Sequence, residues 1–133
     1  MKIILTPQES EEYFYNALCN GLGYVEFAYE YELIYDERMF EEAHKVLQKE
    51  KPDEVLGYED VLMKILRDGG ELNLYEEESL ECNNITLKDV HERVANTPIN
   101  HLMDMVQKRD DEVTADVIIQ QVFFNEVIFK LPL

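Results

Sequence analysis

The chain has 133 residues, 46% of them hydrophobic and 31% charged, which fits one domain, residues 1–133, with a core of its own and argues against a disordered or fibrous chain. Its 29 Asp and Glu against 12 Lys and Arg give a formal charge of −17. That balance argues against direct nucleic-acid binding and against adhesion to an anionic membrane, and it favours solubility or a basic protein partner.

The acid excess is spread along the chain: residues 1–36 carry one base and seven acids, 37–70 six and nine, and 71–133 five and thirteen. The apolar run Ile3–Leu5 is too short for a signal peptide or a spanning helix. Cys19 and Cys82 are the only cysteines. Two cysteines make no disulfide framework, so the expected setting is the reducing cytoplasm with free thiols.

In chain order, "KIILT" (2–6) reads as a short buried strand. Thr6, Pro7 and Glu9 have the spacing of a capping box with proline at the first helical position. Tyr13, Phe14, Ala17 and Leu18 then share a helical face, and Gly21 or Gly23 is the expected terminator. From Val25 to Asp36 the pattern alternates. Val25, Phe27, Tyr29, Tyr31, Leu33 and Tyr35 predict the core face of a strand, while Glu26, Glu30, Glu32 and Asp36 form an acidic row on its other face.

Asp36 caps a second helix carrying Met39, Phe40, Ala43, Val46 and Leu47, which stops at Lys51-Pro52. A third runs from about Tyr58 to Asp68 and ends at Gly69-Gly70. "ELNLYEE" and "CNNIT" predict a hairpin with Glu76–Glu78 near its turn. Thr86 with Asp89 opens a helix, Thr97-Pro98 opens another, and Thr114 with Asp116 starts the apolar segment "TADVIIQQVFFNEVIF", helical at its start. The expected fold class is α+β: a small antiparallel or mixed sheet of three to four strands packed with about six helices.

Catalytic and ligand chemistry finds little support. "GLGYVE" follows a helix and lacks a third glycine, so it does not make a dinucleotide cradle. His44, His91 and His101 are scattered and share no ligand spacing with the cysteines, and "DDEVTAD" lacks the glycine and spacing of a calcium loop, so no metal is expected. No catalytic residue stands out, and neither an enzyme nor a cofactor is implied. The acidic row rises above this background. Same-face neighbours on a strand lie about 6.5–7 Å apart, a spacing of the order of phosphates on a nucleic-acid strand with its rise of about 3.4 Å. The alternative is an ordinary solvated sheet face.

"YEDVLMKILRDGG" and the stretch from "ITLKDVHERVANTPINHLMDMVQ" to "VFFNEVIF", spanning residues 58–129, resemble small acidic proteins of tailed bacteriophages and related mobile elements, with a further echo in "ALCNGLGYVEF". The resemblance implies a phage accessory protein in a bacterial cytoplasm and transfers no activity or site residue. Residues 130–133 do not fit it and read as an extension.

The expected function is a non-enzymatic acidic binding protein that interferes with a host protein, a basic nucleic-acid-binding one being one candidate. The surface would be Tyr24, Glu26, Glu30, Glu32 and Asp36, since Tyr and carboxylates suit Arg-rich partners. Two alternatives stay open. One is a protein that sequesters a small molecule or signalling nucleotide through Lys64, Arg67, Lys88 or Arg93. The other is a virion structural or assembly protein that forms homo-oligomers through its apolar C-terminal element.

Overall fold

The computed structural model describes residues 3–129. Six α-helices and a three-stranded antiparallel sheet make an α+β fold, as the sequence pattern predicts. The order is α1 (Pro7–Tyr29), β1 (Tyr31–Ile34), α2 (Glu37–Glu50), α3 (Tyr58–Arg67), β2 (Leu72–Glu76), β3 (Asn84–Ile85), α4 (Leu87–Arg93), a 3-10 turn (Val94–Asn96), α5 (Ile99–Val106) and α6 (Glu112–Phe124).

Local signals place most boundaries. Thr6 Oγ1 accepts from Glu9 N at 3.1 Å and Glu9 Oε1 from Thr6 N at 2.9 Å, so the capping box of α1 is complete. Asp36 caps α2 by accepting from Met39 N at 3.1 Å. Gly69, at φ 90°, ends α3 in a conformation that disfavours any side chain. Thr86 and Asp89 cap α4.

Three expectations are corrected. The first strand is absent: residues 3–6 have no regular structure, Ile4 is 88% exposed, and no strand of the sheet takes them as a neighbour. A short apolar run becomes a strand only where it lies along a sheet edge, and here Ile3 and Leu5 pack partly against the core instead.

The largest correction concerns α1. Gly21 and Gly23 do not end it, and it continues six residues beyond Gly23 to Tyr29. Gly21 serves helix packing instead: a Cβ there would lie 2.8 Å from Ala115 Cβ, so its absence lets α1 approach α6. The strand face predicted from Val25 to Asp36 therefore breaks in two. Val25 is buried and Tyr29 half-buried by helical spacing, whereas Phe27 is 87% exposed. The chain turns at Glu30, in the left-handed region at φ 58°, and only Tyr31–Ile34 is strand.

The third correction is the start of α6. Asp111, not Thr114, caps it, accepting from Thr114 N at 3.1 Å. From Thr114 to Phe123 every residue is buried. A helix buried all round loses the polar face that reveals a period of 3.6, which is why this segment reads ambiguously.

The sheet packs its inner face, Tyr31, Leu33, Leu72, Leu74 and Ile85, into the core. α1 and α6 form the centre, with Phe14 and Phe123 rings 6.0 Å apart, and α2 lies outermost against α3 with only Ala43 buried.

Candidate acidic interface

A helix ends with unpaired carbonyls and a partial negative charge, and a base there is the usual compensation. α1 ends with no base in its last turn and with Glu26 and Glu30 instead. β1 then runs antiparallel to β2 with Tyr31 opposite Glu76 and Glu32 opposite Tyr75. This register carries Glu30 to the hairpin turn, where Glu30, Glu76, Glu77 and Glu78 line a cleft of about 390 Å³. Glu81 bridges back to Glu76, and its Oε2 accepts from the Tyr31 hydroxyl at 3.3 Å.

Among the described residues, no ion pair involves any of these carboxylates. Two exposed carboxylates about 7 Å apart repel by roughly 0.6 kcal/mol in water, so the cleft concentrates an uncompensated field. Tyr31 registers it: burial first, then the charges of Glu81 and Glu76, push its hydroxyl pKa up to about 12.

Three of the five residues singled out from the sequence have roles within the fold. Asp36 is a helix cap. Glu26 lies on α1 and its Oε2 accepts from Leu33 N at 3.2 Å, tying α1 to β1. Tyr24 is half-buried, its ring edge-on to Tyr29 with centroids 5.8 Å apart. Only Glu30 and Glu32 are exposed and free of such duties. The single row on one strand face is therefore corrected: these side chains come from a helix, a left-handed cap, a strand and a second cap.

The structure adds Glu76, Glu77, Glu78 and Glu81. The hairpin turn was visible in the sequence, but its proximity to Glu30 depends on the pairing of β1 with β2, which no local pattern reveals.

Other chemistries find weaker geometry. Lys64, Arg67, Lys88 and Arg93 each face a carboxylate of their own chain, at 2.9, 2.8, 3.7 and 3.3 Å, rather than converging on a cavity. Arg67 borders a cleft of about 290 Å³, but Glu11, Glu12 and Asp60 share that lining, a poor site for an anion. Although Cys19 is exposed, partial desolvation and the charges of Glu59 and Asp60 raise its thiol pKa against the pull of the Tyr15 hydrogen bond. Among the described residues no group of three or more His, Cys, Asp or Glu side chains is arranged to hold a metal ion, and no helix is long and apolar enough to cross a membrane. The apolar C-terminal helix is core and not a free face.

No family model, curated protein or solved structure matches the chain.

Proposed function

We propose that the chain is a non-enzymatic binding protein whose acidic cleft, at the junction of α1 and the β2–β3 hairpin, engages a basic protein partner. The observation that carries this reading is the set of four glutamates, Glu30, Glu76, Glu77 and Glu78, around one cleft at the negative end of a helix without a neutralising base. Glu76 Oε2 accepts from the Ser79 hydroxyl at 2.9 Å within the turn, but Glu30, Glu77 and Glu78 have no ion pair among the described residues, and a Lys- or Arg-rich surface would relieve their repulsion. Phe27, 87% exposed on the last turns of α1 and one turn before Glu30, supplies an apolar anchor beside the charge. An apolar anchor with a charged rim is the usual anatomy of a binding hot spot.

In the bacterial cytoplasm that the phage resemblance implies, the partner is a basic host protein, and a nucleic-acid groove is the kind of surface that matches best. Wild-type chain and a Glu30, Glu76, Glu77 and Glu78→Gln variant, immobilised side by side, are challenged with host cytoplasm at low salt and eluted by a salt step. The expected result is a basic protein captured by wild type only, released by salt and displaced by added DNA. Its affinity for the variant should fall about thirtyfold, roughly 2 kcal/mol. Equal capture by both chains, or binding indifferent to salt, overturns the reading.

A further inference from the structure

Gln120 sits fully buried in α6 between Ile119 and Gln121, a costly place for an amide unless every polar atom is matched. All of its capacity is used. Gln120 Oε1 accepts from Ile128 N at 2.8 Å and from Phe129 N at 2.7 Å. Its Nε2 donates to Phe129 O at 3.0 Å and to Asp116 Oδ1 at 3.1 Å. Asp116, 1% exposed, is held in turn by the Tyr29 hydroxyl, which donates to Oδ2 at 3.0 Å. Asp116 thus fixes which way the amide points, and the amide spends its other bonds on the backbone of two successive residues.

The side chain of Phe129 enters an aromatic box. It stacks on Tyr29 with centroids 4.3 Å apart and planes 12° apart, and meets Tyr31 and Phe124 edge-on at 6.1 and 6.3 Å. The bound segment is neither helix nor strand, and Ile128 is 46% exposed. Backbone read by a fixed amide, with one side chain read by a pocket, is how extended peptides are recognised.

We propose that Gln120, Asp116, Tyr29, Tyr31 and Phe124 form a docking site for an extended peptide bearing an apolar–aromatic pair, and that Ile128–Phe129 occupies it as a tethered ligand. The site touches the acidic cluster through Tyr31, whose hydroxyl donates to Glu81 while its ring faces Phe129, but it reads a different ligand chemistry, an apolar–aromatic pair. A partner segment of the same pattern gains access when the tail peels away, a local opening that leaves α6 in place.

The probe is a fluorescent peptide, Asn-Glu-Val-Ile-Phe, copying residues 125–129. The full chain with Ile128→Pro and Phe129→Ala loses one backbone donor and the ring, so it should bind the peptide one to one, at least about tenfold tighter than wild type, whose tether competes. Adding Gln120→Leu should abolish that binding. In wild type, peptide at about millimolar concentration, the range of a short tether's effective concentration, should speed hydrogen exchange at the Ile128 and Phe129 amides without affecting α6. A wild-type dimer that dissociates on adding peptide also supports the site, with a second copy's tail as the ligand. The proposal fails if the folded double variant takes up no peptide. Should that variant not fold, it fails if the two amides exchange only as slowly as α6 and ignore the peptide.

Discussion

At its N-terminus α1 gives Glu9 and Glu11 partners and leaves only Glu12 without one among the described residues. Glu9 closes the capping box, and Glu11 accepts from Arg67 Nε at 2.8 Å and lies 2.9 Å from His91 Nε2. At its C-terminus the same residue type meets far less: Glu26 accepts only from Leu33 N, at 3.2 Å, while Glu30 has no ion-pair partner among the described residues and holds a left-handed backbone at φ 58° at the negative end of the dipole. The difference separates acids that build the fold from acids that the fold tolerates. Tolerated acids are the ones worth testing for binding, because folding alone does not account for them.

α1 joins its two unlike ends as one continuous helix, and Gly21 lets it lie close against α6 near its middle. Gly21→Val places a branched side chain where even a Cβ comes within 2.8 Å of Ala115 Cβ. The expected loss is about 3 kcal/mol, seen as an earlier midpoint in urea unfolding, with the ends of α1 shifted relative to α6. Thr6→Ala tests the compensated end. Losing the bond to Glu9 N should cost about 1 kcal/mol in the same measurement and leave binding at the acidic cleft unchanged.

The helix caps were legible because each is a local device: Thr6 with Glu9, Asp36 and Thr86 with Asp89 act within one turn of chain. The hairpin was legible for the same reason. The segment from Gly21 to Glu30 was not, because two patterns overlap there. Leu18, Leu22, Val25 and Tyr29 keep helical spacing, while Val25, Phe27, Tyr29 and Tyr31 keep strand spacing. Packing of α1 on α6 decides between them, and it leaves Phe27 in solvent. The acidic cleft was half legible. Glu30 and the turn acids Glu76–Glu78 could each be seen, but their meeting depends on the pairing of residues as distant in the chain as Tyr31 and Glu76.

Glu30 sharpens the contrast further, because stability and binding should move in opposite directions there. Glu30→Gly relieves the left-handed backbone and removes an acid from the negative helix end, so a gain of about 0.5–1 kcal/mol is expected. The same change should weaken capture of the basic partner. Glu77→Gln serves as the control, with weaker capture and almost unchanged stability. Gain of stability together with undiminished binding would return Glu30 to the solvated background.

The smallest expected effect concerns Glu11. Burial raises its pKa, but the hydrogen bonds and charges of Arg67 and His91 outweigh that and hold it below the ordinary carboxylate value. A carboxylate with a depressed folded pKa stabilises the fold above its unfolded pKa, and the contribution fades as pH falls through the folded one. Because Arg67 is half exposed, solvent screens the pair, and Glu11→Gln should cost only about 0.5 kcal/mol at pH 7. That deficit should shrink as urea midpoints are followed into acid. Asp116 supplies the opposite sign. Burial raises its pKa against the pull of Gln120, Tyr29 and His101, so its ionisation works against the fold as pH rises from the unfolded toward the folded pKa. Asp116→Asn should therefore gain on wild type as pH rises above 3.8, whereas Glu11→Gln falls behind as pH rises toward 4.5, so the two trends have opposite signs in windows that only partly overlap. Parallel curves for the two variants would mean that neither carboxylate differs between folded and unfolded chains in the way their surroundings require.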